Sequence, residues 1–417
     1  MIRTLIALSL LVSSLLQVAE ASSCNAVDID TDSTVPRLHT AEASPLAFQF
    51  DSGATWELCW HIDPQAGLVI SRVFFAAPSE HPRQILDAAS IGQILFKYDE
   101  DPRETQLLSE YGLGGPQTLL SDGLRCENGE LLSGINNQQI CQRVRYLNPL
   151  TKVRRSQTKP RHEMTLHAWS QIGTHLFQQL WRFSEDGEIT PSVIFSGQIS
   201  RYTSDAGYGI RIDDTNRYAS SATLLVNWRL DFNVNGTPAN DRVDEIEFRL
   251  ADTETTARAI NISNIENEVM RTTERESFRG WRISDADQPS GDGINRVGYY
   301  LDPQGAGYRY LSQNHQWSEF DFFVTRRHPC ERHSSGNHLV YKECNDGLDT
   351  FVDNESLADA DIVVWYSVSR HFIPRLEDYP AIAATELGFA LIPFDWSSYS
   401  MFSPAVEMFD DRPLAGQ

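Results

Sequence analysis

The chain is 417 residues long with 41% apolar and 10% aromatic residues, enough to bury one large or two ordinary cores, which excludes a disordered polypeptide. Lys and Arg number 35 against 57 Asp and Glu, and the net charge of -22 argues against a nucleic acid or an anionic membrane surface as partner. An amine or basic ligand would suit that charge better, although solubility alone accounts for it.

Met1 to Ala21 carries one basic residue, Arg3, an apolar run from Leu5 to Leu16 and a small-x-small ending, Ala19-Glu20-Ala21. The run is shorter than the roughly 20 residues a membrane span needs, so the segment predicts a cleaved signal peptide and a secreted or periplasmic protein. No later stretch is apolar enough to span a membrane. Six cysteines, an even number, fit disulfides in such a compartment. Cys126–Cys141 is the first choice, because Asn128-Gly129 and Asn136-Asn137 supply turns between them. Cys330–Cys344 is the second for similar reasons, and Cys24–Cys59 follows by elimination.

Residues 22–66 read as N-terminal strands leading into a larger unit over 67–417. Phe48 to Phe50, Trp56 to Trp60 and Leu68 to Phe74 alternate as short strands between Asp51-Ser-Gly53 and Asp63-Pro-Gln-Ala-Gly67 turns. Asp87 to Gln93 is the one stretch expected to form a helix of any length. Around Glu185-Asp186-Gly187, Trp181, Phe183 and Ile189 alternate with polar residues, as in a hairpin of half-buried antiparallel strands. Leu224, Val226, Trp228, Leu230 and Phe232 keep period two over a long run that ends at an Asn235-Gly236 turn. The residues alone therefore predict an all-β protein of sandwich type.

Gly67-Leu-Val-Ile-Ser-Arg-Val, the run from Arg83 to Pro102 and Glu110-Tyr-Gly-Leu-Gly-Gly115 resemble, in order, the entry strands and the "D-x-G-E-Y-G-x-G" of the catalytic domain of copper amine oxidases. Cys126 and Cys141 match its cysteine pair and Arg154-Arg-Ser156 its "RRS". Gly280-Trp-Arg-Ile-Ser, Asn295-Arg-Val-Gly-Tyr-Tyr and Phe323-Val-Thr325 follow. Asp361-Ile-Val-Val-Trp-Tyr366, Pro374-Arg-Leu-Glu-Asp-Tyr-Pro380 and Gly388-Phe-Ala-Leu-Ile-Pro393 complete the collinear set. The resemblance implies a large antiparallel β-sandwich, a homodimer and a role in amine metabolism.

The family oxidises primary amines with topaquinone, made from a tyrosine in "N-Y-D/E-Y" by copper held on "H-x-H" and a distant third His. Three neutral imidazoles suit Cu(II), and an Asp takes the substrate proton. Aligned on the flanking motifs, His175 stands at the quinone position and Leu107 at the base. Ala222, Leu224 and Phe372 stand at the copper ligands, with His371 one position out of register. Copper and topaquinone are therefore predicted absent. Tyr98, where the family keeps a tyrosine against the quinone, is a candidate partner of His175. A structural cation site of the family maps onto Asp231, Asn233 and Asp361 with the carbonyls of Phe232 and Ile362, hard oxygen ligands that suit Ca²⁺.

These residues lead to an exported, catalytically inactive member that binds or scaffolds. The alternative is a primary-amine oxidase or other oxidoreductase with a rebuilt site, drawing on His175 with His162, His167 or Tyr98. His162 and His167 are an odd number of residues apart and would face opposite sides of one strand.

Overall fold

The computed structural model describes residue 24 and residues 43–120, 126–147, 152–153, 157–158, 161–212, 216–251, 257–289, 295–304, 312 and 314–397. The leader expected over Met1 to Ala21 and the Arg154 to Ser156 motif lie outside them.

Two large antiparallel sheets carry the chain. In the first, the strands run in the order Ser44–Gln49, Thr55–Asp63, Gly67–Ala76, Arg83–Tyr98, Ala222–Phe232, Ile362–Phe372, Phe322–Arg326 and Val269–Arg271. The second places Arg258–Ile265 at one edge and Glu130–Ser133 at the other. Between them run Asp241–Leu250, Gly280–Pro289, Arg296–Asp302, Ala390–Phe394, Ile189–Gly197, His175–Ser184, Arg161–Ile172 and Gln139–Leu147. This is the all-β antiparallel architecture that the alternating patterns predict. Among the described residues no helix is long and apolar enough to cross a membrane.

The inner faces of the two sheets share one apolar core. Trp281 of the second sheet stacks on Phe322 of the first with centroids 4.1 Å apart and rings 4° from parallel. Trp56 of the first packs 5.0 Å from Phe183 of the second and donates its indole N–H to the Ser184 carbonyl at 2.9 Å. Along Ala222–Phe232 the even positions Leu224, Val226, Trp228, Leu230 and Phe232 enter this core, as period two requires. The odd position Leu225 joins a second cluster with Phe323, Val363 and Trp365, covered by Trp317, Leu348 and Phe351 from the following loops. Both faces of the first sheet are thus buried at its centre.

The helix expected over Asp87 to Gln93 is instead the middle of the Arg83–Tyr98 strand. That strand pairs on one side with Gly67–Ala76 and on the other with Ala222–Phe232. Opposite Ala222–Phe232 the register skips Asp87 and Gly92, so two bulges break the alternation that would have marked a strand. Gly92 is required there, because a Cβ would stand 2.6 Å from Asn227 Oδ1. Pairing on both edges overrides the local pattern.

The cysteines pair as Cys24–Cys59, Cys126–Cys141 and Cys330–Cys344. The first ties residue 24 to the Thr55–Asp63 strand, and the third closes the loop that covers the outer face of the first sheet.

Candidate functional site

At one end of the sandwich the Ala222–Phe232 and Ile362–Phe372 strands meet, with Ala222 opposite Phe372 and Leu224 opposite Arg370. Directly opposed residues, and residues two apart on one strand, share a face. Ala222, Leu224, Phe372 and Arg370 therefore project together. They border a cavity of about 370 Å³ whose other walls include Phe96, Phe195 and Leu387. Beyond Phe372 the chain leaves the first sheet and re-enters the second as Ile382–Gly388, paired with Ile189–Gly197, so the cavity lies where the chain crosses between sheets. None of Ala222, Leu224 and Phe372 carries a side-chain donor atom. His371 also borders this cavity, and its ring is engaged by Asp99 Oδ2 at 2.8 Å.

His175 begins its strand at the same end, packed between Phe96 (5.2 Å) and Phe195 (5.3 Å). Its Nε2 lies 2.8 Å from the Tyr98 hydroxyl, which lies 2.9 Å from Ser200 Oγ. Burial lowers the His175 pKa to about 4, so the ring is neutral at physiological pH. Burial raises that of Tyr98. His162 and His167 are not brought to this pair. They lie further along Arg161–Ile172, opposite Tyr146 and Leu180, while His175 faces Ile172 at the other end of that strand pair. His162 Nδ1 meets Glu185 Oε2 at 3.2 Å. Leu107 opens a short helical turn and is buried in the main core, outside the cavity lining.

A second constellation surrounds the far ends of the same two strands. Asp231 Oδ2 receives Arg229 Nη1 at 3.0 Å and Arg327 Nε at 3.1 Å, and Arg327 Nε also stands 3.7 Å from Asp361 Oδ2. Oδ1 of Asp231, Asn233 and Asp361 are all buried without a hydrogen-bond partner. Burial and then the Asp231 charge push the Asp361 pKa up to about 7. Asp241 rises well above its ordinary value through burial, aided by Asp285, Asp361 and Asp231. Phe232 and Ile362 are buried beside these acids, and a cavity of about 350 Å³ bordered by Asn240, Asp241 and Ile362 adjoins them. Unpaired buried oxygens, two of them on carboxylates and one on an amide, are costly unless a cation compensates, and the donor set is the hard-oxygen type that Ca²⁺ takes.

Sequence reading missed a third group. Glu268, Asp353 and Glu355 bring one carboxylate oxygen each within 4.8 Å of one another. Buried Glu331 lies near them, its pKa pushed up to about 8 by burial and then by Glu268. Asp353 and Glu355 sit two apart, but Glu268 joins them only through the fold, where its Oε2 accepts the Asp353 N–H at 2.9 Å. No local spacing announces it.

Residues 136–408 match the family model described as copper amine oxidase, enzyme domain. This chain belongs to the copper amine oxidase family. Over 383 aligned residues it is 23% identical to a primary amine oxidase of Arthrobacter sp. (strain P1), covering 82% of this chain and 58% of the relative. It is 21% identical to the copper-containing amine oxidase gamma 1 of Arabidopsis thaliana, covering 87% and 56%. The chain thus spans a little over half the length of these curated relatives. The fold agrees with solved family structures. The lysyl oxidase of Pichia pastoris superposes with TM-score 0.70 at 20% identity, over 82% of this chain and 51% of that one. The copper-containing benzylamine oxidase of Hansenula polymorpha gives TM-score 0.70 at 17% identity, over 90% and 65%.

Proposed function

We propose that this is an exported family member whose copper–quinone centre has been replaced by packed side chains, and that it acts by binding rather than by oxidising amines. One observation carries the reading. The positions aligned with the copper ligands, Ala222, Leu224 and Phe372, gather on one face at one cavity and offer no ligand atom, while His175, aligned with the quinone, is neutral and held against Tyr98. Copper prefers imidazole nitrogen, and the residues present do not fit it. Without copper, apolar side chains line such a cavity at lower cost than unpaired imidazoles.

The Asp231, Asn233 and Asp361 oxygens do fit a structural cation, and Ca²⁺ is assigned to them with Phe232 and Ile362 supplying carbonyls. Bound there, the ion would tie Ala222–Phe232 to Ile362–Phe372 at the end opposite the cavity. A homodimer, as the family forms, is the expected assembly and is checked by light scattering on the purified chain.

The test is the metal content of the mature protein after exposure to copper and calcium, with an amine-dependent peroxide assay on the same sample. Calcium without copper, and no peroxide, is the expected result. Stoichiometric copper, or peroxide that disappears on substituting His175, would overturn the reading.

A further inference from the structure

We infer that the cavity at Ala222, Leu224 and Phe372 is a binding site for a small apolar carboxylate, an aryl or alkyl acid, rather than for an amine. This rests on the reading above that no copper occupies the site, and names its ligand class.

The inference follows from an inventory of charge in the lining. Phe96, Phe195, Ala222, Leu224, Phe372 and Leu387 make the walls apolar. Asp378, the one carboxylate among the described lining residues, is fully buried and committed. Its oxygens take Arg375 Nε at 3.1 Å and Nη2 at 3.0 Å, and also the Arg375 and Ala383 backbone N–H groups at 2.9 and 3.4 Å. His371 is engaged by Asp99. Arg370 remains: it shares the face of Leu224 and Phe372, borders the cavity, and has no ion-pair or hydrogen-bond partner among the described residues. An ammonium entering here meets an uncompensated guanidinium and, among the described lining residues, no free carboxylate. A carboxylate instead finds a fork of donors matched to its geometry, with apolar walls for its tail. The volume of about 370 Å³ lies within the range of small-molecule pockets. The chain's net charge of -22 opposes an anion at long range, a repulsion that physiological salt screens beyond about 8 Å.

The experiment compares two probes of matched skeleton, 3-phenylpropionate and 3-phenylpropylamine, by titration calorimetry on the full mature chain in physiological salt, with metal content measured on the same preparation. The expected result is carboxylate binding at least tenfold tighter than amine binding, weakened about tenfold or more in Arg370→Gln and less in Arg370→Lys, which keeps the charge but not the fork. Arg370 is exposed, so the Gln variant should melt as the parent does, and a second variant, Leu224→Trp, should block binding by filling the cavity. Equal or tighter amine binding, no carboxylate binding in copper-free protein, or carboxylate binding indifferent to Arg370→Gln and Leu224→Trp would each overturn the inference and leave the closed copper site standing. Stoichiometric copper in the preparation would instead overturn the closed site itself.

Discussion

Asp231 and Asp361 meet at one guanidinium, 3.1 and 3.7 Å from Arg327 Nε, and each turns its other oxygen to a buried position without a partner. Arg229 also pairs with Asp231, at 3.0 Å, yet the two unpartnered oxygens still lack a positive partner. Added Ca²⁺ should therefore raise the melting temperature, by an amount equivalent to about 2.7 kcal/mol at a hundredfold excess over Kd. Asp361→Asn should remove most of that gain while leaving the calcium-free protein as stable or more so, since it deletes one repelled charge. Scanning fluorimetry in EDTA and in calcium checks both. A calcium-free variant much weaker than the parent would show Asp361 to be held by other contacts.

His175 gives a pH signature. Its folded pKa of about 4 lies below the ordinary 6.5. Between these values the unfolded chain takes a proton that the folded one refuses. Its contribution to stability is present above pH 6.5 and lost as pH falls toward 4. His175→Phe should flatten the acid limb of a stability–pH curve between those values. Tyr98 keeps Ser200 as partner in the variant. The buried His333, also lowered to about 4 by burial, leaves a residual slope of the same sign. An unchanged curve would show that His175 accepts a proton freely in the folded state.

The Trp281–Phe322 stack is a direct contact between the two inner faces, and both rings are fully buried. Trp281→Ala should cost about 3–5 kcal/mol in chemical denaturation. Phe278→Ala, exposed near the start of the same strand and touched by the Arg258 guanidinium, should fall within about 1 kcal/mol of the parent. Similar losses for both would mean that the sheets are not held at this stack.

Cys330–Cys344 closes a short loop, separation 14, that carries Glu331 and His333 over the first sheet. Replacing both cysteines by serine should cost about 3 kcal/mol through freed loop entropy. Amide exchange should rise first in residues 328–348. If protection there is unchanged, the apolar contacts of Leu348 and Phe351 alone hold the loop.

Much of this was legible because strand alternation survives in the sequence. The even residues of Ala222–Phe232 and the hairpin around Asp186 declare their faces. The Arg83–Tyr98 strand did not, since its bulges at Asp87 and Gly92 shift the phase of the pattern twice. The positions Ala222, Leu224, Phe372 and His175 were found only through flanking motifs, for an alanine or a leucine carries no chemical signal of its own. Arg370 was passed over although it stands two residues from Phe372. Its meaning depends on which neighbouring charges are already paired, and that is fixed by tertiary contacts such as Arg375 with Asp378. Glu268 joined Asp353 and Glu355 from far along the chain for the same reason.

The crossing of the chain from Phe372 in one sheet to Ile382 in the other has a mechanical corollary. A molecule lodged at that crossing touches both layers, through Leu224 and Phe372 on one side and Phe195 and Leu387 on the other. Occupancy then works as a clasp at one end of the sandwich. By thermodynamic reciprocity, whatever spreads the layers there loosens the guest, and the guest in turn resists their separation.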